Sequence, residues 1–172
     1  MEELDFQPAK SKHDFRANYK LHDLAELIGK NLFIQCNVKF NNFGEDRRFE
    51  KLWEKGEDKP DMIISYKGKS ALLDWKGKRK NRWIVNERAV KSYEHWHDEL
   101  KLPLLICFFV FDNENKVIDR RFSLLDIHQY KKGKKRQWDK NRTVEFIGDL
   151  PVFNKSNLIK YVFDKTCPAK NT

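Results

Sequence analysis

Cysteine is scarce in this chain. Cys36, Cys107 and Cys167 are the whole set, an odd number, far apart and with no CxxC pair. Neither a disulfide framework nor a zinc ribbon can be built from them, and Cys36 and Cys107, each inside an apolar run, read as reduced buried thiols. Glycine and proline are also sparse, at 7 and 5 of 172 residues, which excludes collagen-like and low-complexity chains. Long apolar runs are missing: residues 102–111 make the longest, ten residues that include Pro103, against about 20 for a membrane span. The opening MEELDFQPAK lacks the apolar stretch of a secretory signal. These absences point to a soluble, cytoplasmic protein without a membrane role. Acids are outnumbered too, 26 Asp plus Glu against 35 Lys plus Arg, so the formal charge is +9. Such an excess favours a polyanionic partner but fixes no fold.

What is abundant is aromatic. Thirteen Phe and five Trp argue for a packed core, since disordered chains lack large apolar side chains. The length suits one domain, with a core over about 15–111 and a C-terminal basic extension over 112–172. Leu21, Leu24, Ala25, Ile28 and Leu32 follow helical spacing, predicting a helix over 15–32 that Gly29 weakens and Asn31 helps to end. LFIQCNVKF then alternates, predicting a half-buried strand over 33–40, with a turn at Asn41 to Gly44 and a short helix or irregular segment at Phe49 to Lys55. Asp61–Tyr66 and Ser70–Lys76 read as a hairpin around Lys67-Gly68-Lys69. Trp83–Leu100 reads as a helix with Ala89, Tyr93, Trp96 and Leu100 on one stripe, stopped before Pro103. LLICFFVF has the unbroken apolar character of a strand buried on both faces. A turn at Asp112–Asn115, a strand over 116–123, a helical turn over 124–130, a polar loop over 131–142, a strand over 144–147 and a helix over 156–163 complete the chain. The fold class is therefore α/β, a mixed central sheet flanked by helices.

The hairpin carries the chemistry. Asp74 and Lys76 are two apart on a strand, so their side chains leave one face. A turn centred on Lys67-Gly68 sets Asp61 opposite Asp74, whereas Gly68-Lys69 sets it opposite Lys76. Either register brings two carboxylates and a lysine together, because facing Cβ atoms are about 4.5–5.5 Å apart. Ile63, Ile64, Leu72 and Leu73 around them are apolar. Close carboxylates repel unless a cation lies between them, and oxygen ligands suit a hard ion such as Mg²⁺. An ammonium beside such an ion can orient water and stabilise charge on a phosphoryl group. A surface hairpin with a cross-strand ion pair is the plainer alternative.

The stretch KPDMIISYKGKSALLDWKGK, with Pro60-Asp61 and then Asp74-Trp75-Lys76, resembles the PD-(D/E)xK nuclease superfamily, which includes restriction-endonuclease-like and Holliday-junction-resolvase-like proteins. The resemblance implies a core of order α-β-β-β-α-β, the order read independently across residues 15–111. It implies that Asp61, Asp74 and the Trp75 backbone carbonyl bind Mg²⁺, with Mn²⁺ able to substitute, and that Lys76 serves the attacking water. Many members add an acid from the first helix. Glu26, about 140° around the helix from the apolar stripe, is the leading candidate for that metal-binding and catalytic role, His22 a weaker one, and Glu50 and Glu57 remain open. The helix after the triplet, RAVKSYEHWHDEL, has Lys91 and Tyr93 but no glutamine of a QxxxY motif, a departure from the RecB-like exonuclease branch. His95 and His97, two apart on a helix, make a poor zinc pair.

The basic excess is clustered. Lys76, Lys78, Arg79, Lys80 and Arg82 follow the triplet, and Lys131, Lys132, Lys134, Lys135, Arg136, Lys140 and Arg142 surround Trp138 with only Asp139 opposing. Lys78, Arg79, Lys80, Arg82, Lys91, Lys134, Lys135, Arg136 and Trp138 are thus candidates for nucleic-acid contact, by phosphate pairing and base stacking. The leading expectation is a Mg²⁺-dependent endonuclease acting on DNA. Small size favours structure-specific cutting, as in similar junction resolvases, or a homodimer. A non-catalytic binding module on the same fold and an RNA-directed nuclease are the alternatives.

Overall fold

A computed structural model describes the backbone of residues 12–43, 58–133 and 142–164, with side chains from Lys20 onward. Helix α1 (Lys12–Cys36) leads into strands β1 (Lys39–Asn42), β2 (Met62–Tyr66) and β3 (Lys69–Lys78). A short β4 (Ile84–Asn86) precedes helix α2 (Glu87–Leu100), followed by β5 (Leu104–Phe111), β6 (Val117–Leu124), β7 (Tyr130–Lys132) and β8 (Thr143–Phe146). A one-turn helix α3 (Lys155–Leu158) continues as a π-helical turn over Ile159–Phe163. The central sheet has the order β1-β2-β3-β5-β6. Only β3 and β5 run parallel, so the sheet is mixed. The chain is an α/β protein in the anticipated order, with β4 inserted before α2.

The first helix runs further than the spacing predicts. Residues 33–36, expected to open a strand, belong to α1, because Phe33 extends the buried row Leu21, Ala25 and Gly29 by one more turn. Its ring packs 5.6 Å from both Trp75 and Phe153, a contact available only to the helix. Asn37, not Asn31, ends α1. It adopts φ 59, and the Asn37 and Val38 amides donate to Ile34 and Phe33 carbonyls at 3.3 and 2.9 Å, a Schellman cap. The strand that follows is only four residues long.

Two glycines set how closely α1 approaches the sheet. A Cβ on Gly29 would lie 2.1 Å from the Trp75 ring, and one on Gly77 would lie 2.4 Å from the Leu21 backbone. The helix is thereby pressed against β3, beside the end that carries the acid-x-lysine triplet.

Strand alternation divides the core into two layers. Ala71, Leu73 and Trp75 face α1, with Leu105, Cys107, Phe109, Phe122 and Phe153. Leu72 faces the other way, with Ile106, Phe108, Val90, Tyr93 and Trp96. All eight residues of β5 are buried, as the apolar run predicts. Residues beyond 111 supply β6 and the core side chains Phe122, Leu124, Phe153 and Val162.

A three-stranded sheet, β4-β8-β7, covers the second layer. It corrects two expectations: 84–86 is strand rather than helix, and Lys131-Lys132 is strand rather than loop. Asn86 ends β4 and caps α2, its side chain accepting from the Arg88 amide at 3.0 Å. The apolar stripe carries the expected helix back to Trp83, but Trp83, Ile84 and Val85 are residues that favour strands, and Val85 and Val144 pair across β4 and β8 in the core. The turn over 124–127 forms, with Ile127 and His128 donating to the Leu124 carbonyl, and Tyr130 then starts β7. The segments at 49–55 and 134–141 lie outside the described residues.

Candidate active site

The hairpin register follows from its turn. Tyr66 pairs with Lys69 and Met62 with Leu73, so Lys67 and Gly68 form the two-residue turn. Both have positive φ, 48 and 79, the type I′ geometry that matches strand twist. Of the two registers considered, this is the one that directs Asp61 toward Asp74. Asp61 lies just before β2, and β3 continues past the last β2 pair with β5 alone beside it.

That unpaired edge is where Asp61 works. Its Oδ2 accepts from the Trp75 amide at 2.8 Å, replacing the strand that has ended. The N–H and C=O of one strand residue leave the same edge, so the Trp75 carbonyl is directed to this side as well. The same Asp61 oxygen lies 3.0 Å from His22 Nε2. His22 comes from α1, one residue after the Leu21 that packs on Gly77.

Asp74 and Lys76 project on the α2 side. Asp74 is 2% exposed, and Lys76 Nζ lies 2.6 Å from its Oδ2. The two form a close, charge-assisted contact between ammonium and carboxylate. The Tyr93 side chain of α2 also hydrogen-bonds Asp74, and its ring lies 5.9 Å from the Lys76 ammonium. His22, Asp61, Asp74, Lys76 and Tyr93 line one cleft of about 380 Å³, together with Asp58, Lys59, Asn86 and Arg88.

The electrostatics separate the two acids. Burial pushes the Asp74 carboxyl up to about 6; Lys76 opposes the rise and the Asp61 charge adds to it. Burial also pushes Asp61 upward, but the His22 hydrogen bond and charge, the Trp75 amide and Lys76 together hold it below the usual carboxylate range. The hydrogen bond to Asp61 raises His22 against the effect of burial. Burial would lower Lys76, yet the adjoining Asp74 charge dominates and raises it, so the lysine is an ammonium.

The donor chemistry fits a hard divalent cation. Two carboxylates and a backbone carbonyl are the ligand types such ions take, and Asp61 and Asp74 open onto one cleft. Divalent charge there would relieve both the desolvation of Asp74 and its repulsion with Asp61.

The other candidates are distributed differently. Glu26 is ion-paired with Lys30 at 2.7 Å and does not line the cleft; His22 is the α1 residue that does. His22, Asp23 and Glu26 offer ligand atoms within 4.8 Å of one another, but Asp23 is exposed and His22 Nε2 is directed at Asp61. Lys91 is exposed and pairs with Glu87 at 3.8 Å, away from the cleft. Arg79 donates to the Asp112 carbonyl and to Asn115 Oδ1, and Arg82 pairs with Glu145 at 3.1 Å. Lys78 is buried and Lys80 exposed. His97 bonds the Leu102 carbonyl at 2.6 Å beyond the end of α2, away from His95. Lys134, Lys135, Arg136 and Trp138 lie outside the described residues, as do Glu50 and Glu57. Arg88 escaped the sequence reading because it sits in an ordinary helical run; the Asn86 cap just before it was the available signal that α2 begins at this point.

The site is thus a buried acid, Asp74, and a half-buried one, Asp61, with a charged lysine at the open edge of a mixed sheet. No protein-family model and no curated protein matches the chain. Among solved structures it is similar to Hjc, a Holliday junction resolvase of Archaeoglobus fulgidus, at 8% identity and a TM-score of 0.42, over 70% of this chain and 83% of that one. A likeness of this strength carries no assignment of activity or substrate.

Proposed function

We propose that this protein is a divalent-metal-dependent nuclease that hydrolyses phosphodiester bonds within DNA. The observation that carries the reading is the buried Asp74, its Oδ2 met by the charged Lys76 at 2.6 Å, beside Asp61 in one cleft. The resemblance of Pro60-Asp61 and Asp74-Trp75-Lys76 to the PD-(D/E)xK pattern supports it, as does the net charge of +9. DNA as substrate comes from that resemblance, because charge alone fits any polyanion.

Asp61, Asp74 and the Trp75 carbonyl would hold Mg²⁺, with Mn²⁺ as a substitute. When bound, the ion supplies positive charge where the phosphoryl oxygens gain negative charge, and eases deprotonation of the attacking water. The protein's own groups do the rest. His22 and the Trp75 amide fix the Asp61 carboxylate, and the Tyr93 side chain fixes Asp74. Lys76, held charged, orients the water and donates to the developing charge on phosphate; its raised pKa makes it a poor proton acceptor.

Supercoiled plasmid, four-way branched DNA and RNA, each incubated with Mg²⁺, Mn²⁺ or EDTA, test this reading. Metal-dependent cleavage of DNA that disappears with EDTA and in Asp74→Asn is the expected result. Cleavage that persists in EDTA, or an active Asp74→Asn protein, overturns the mechanism. Binding without cutting of any substrate points instead to a non-catalytic module, and cutting confined to RNA changes the substrate.

A further inference from the structure

We infer that Arg88 forms a phosphate-binding fork in the cleft, gripping a backbone phosphate that flanks the one at Asp74. The inference rests on the nuclease reading and adds a substrate contact to it. Arg88 is the second residue of α2 and lines the same cleft as Asp61, Asp74 and Lys76. Two contacts define its position. Its backbone amide donates to Asn86 Oδ1 at 3.0 Å, and its Nε donates to Asp58 Oδ2 at 3.1 Å.

The Nε contact leaves the end of the guanidinium uncommitted. Arginine has five N–H donors, and four of them are on the two Nη atoms. Among the described residues, neither Nη of Arg88 has a partner. Arg79, Arg82 and Arg121 are different: each commits at least one Nη, to Asp112 and Asn115, to Glu145, and to the Leu150 carbonyl. Those three brace the fold, while Arg88 is braced by Asp58 and keeps its fork. Two parallel N–H donors match the oxygens of a phosphate.

Position along the helix indicates which phosphate. Tyr93, five residues on, bonds Asp74. Arg88 therefore sits about 7.5 Å along the helix axis from that contact, a displacement suited to the next phosphate rather than to the reacting one. Its side chain is 69% exposed, so a strand laid into the cleft reaches it directly.

The test is DNA affinity of the full chain in EDTA, read by fluorescence anisotropy of a labelled branched duplex across a salt series. Arg88→Ala is expected to weaken binding about tenfold and to reduce the salt slope by about one. Arg88→Lys keeps the charge but loses the fork, so it restores part of the affinity. Asp58→Ala discriminates, because it removes the brace together with a negative charge from the cleft. It is expected to bind DNA as tightly as wild type or tighter. If Arg88 only pins the segment leading to Asp61, Asp58→Ala weakens binding as much as Arg88→Ala, and the inference falls. It falls equally if Arg88→Ala binds within twofold of wild type with an unchanged salt slope while wild type binds and cuts. Absence of DNA binding by wild type removes the nuclease reading and this inference with it.

Discussion

The two halves of β3 are made by one continuous strand, yet they do different work. From Lys69 to Leu73 it is paired with β2, and β5 joins on the other side from Leu72 onward; Ala71, Leu72 and Leu73 are fully buried. From Asp74 to Lys78 only β5 remains as a described partner, and the other edge is met by the Asp61 side chain. The first half is held by backbone pairing and by the apolar packing of Ala71, Leu72 and Leu73. The second half has an open edge beside a cleft, so ionisable groups can be buried and still reach a ligand. The sheet acquires an open edge here because one neighbouring strand ends early.

Substitutions can break this contrast, beginning with the open half. Lys76→Met removes the ammonium while keeping much of the apolar stem. Cleavage should fall by about 10²–10⁴-fold, with calorimetry still detecting divalent-ion binding. An active Lys76→Met protein would remove the lysine from the chemistry. In the closed half, Leu72→Ala should cost roughly 2–5 kcal/mol of stability, the usual penalty for a buried leucine. Urea unfolding measures it, and at permissive temperature the variant should still bind the ion.

Gly29→Ala tests the support beneath the open half. Its methyl would overlap the Trp75 ring, so α1 must shift and carry His22 away from Asp61. Roughly 1–3 kcal/mol of destabilisation is expected, together with weaker ion binding. A variant as stable as wild type would show that the close approach is unimportant.

The next effect is a pH dependence. Asp74 keeps its proton up to about 6, so divalent-ion affinity should be flat above about pH 7 and fall below pH 6. The slope should approach tenfold per pH unit where one proton is displaced. For the metal-free protein the sign is opposite. The raised carboxyl contributes stability that is present below the unfolded value near 4 and is lost as pH rises through about 6. Calorimetric titrations at pH 5, 6, 7 and 8 read the first effect; an affinity that stays flat down to pH 5 would show Asp74 to be an ordinary carboxylate.

The smallest change belongs at the hairpin's other end. Gly68 has φ 79 with open space around its Cα. Alanine there should cost about 1 kcal/mol through backbone strain alone and leave ion binding unchanged.

Much of this contrast was legible before any coordinates. The β2–β3 hairpin, the buried β5 and the shared face of Asp74 and Lys76 follow from residue order, because strand periodicity and turn chemistry are local. The first helix misled at its end: LFIQC satisfies both periodicities, and the packing of Phe33 against Trp75 and Phe153 decided between them. The three-stranded β4-β8-β7 sheet was not legible, because its strands are three or four residues long and lie far apart in the chain. Glu26 and His22 both belong to α1, and only the rotation of that helix on Gly77 turned His22 toward Asp61 while Glu26 met Lys30.

By itself the sequence determined the α/β class, the hairpin, the net charge of +9 and the acid-x-lysine triplet, since each depends on neighbours in the chain or on composition. Tertiary structure alone decided which register the hairpin took, which α1 side chain reached Asp61, and which arginines kept free donors. Those outcomes depend on distances between segments remote in sequence. They are set by how closely two glycines let a helix approach a strand, and by where β2 stops.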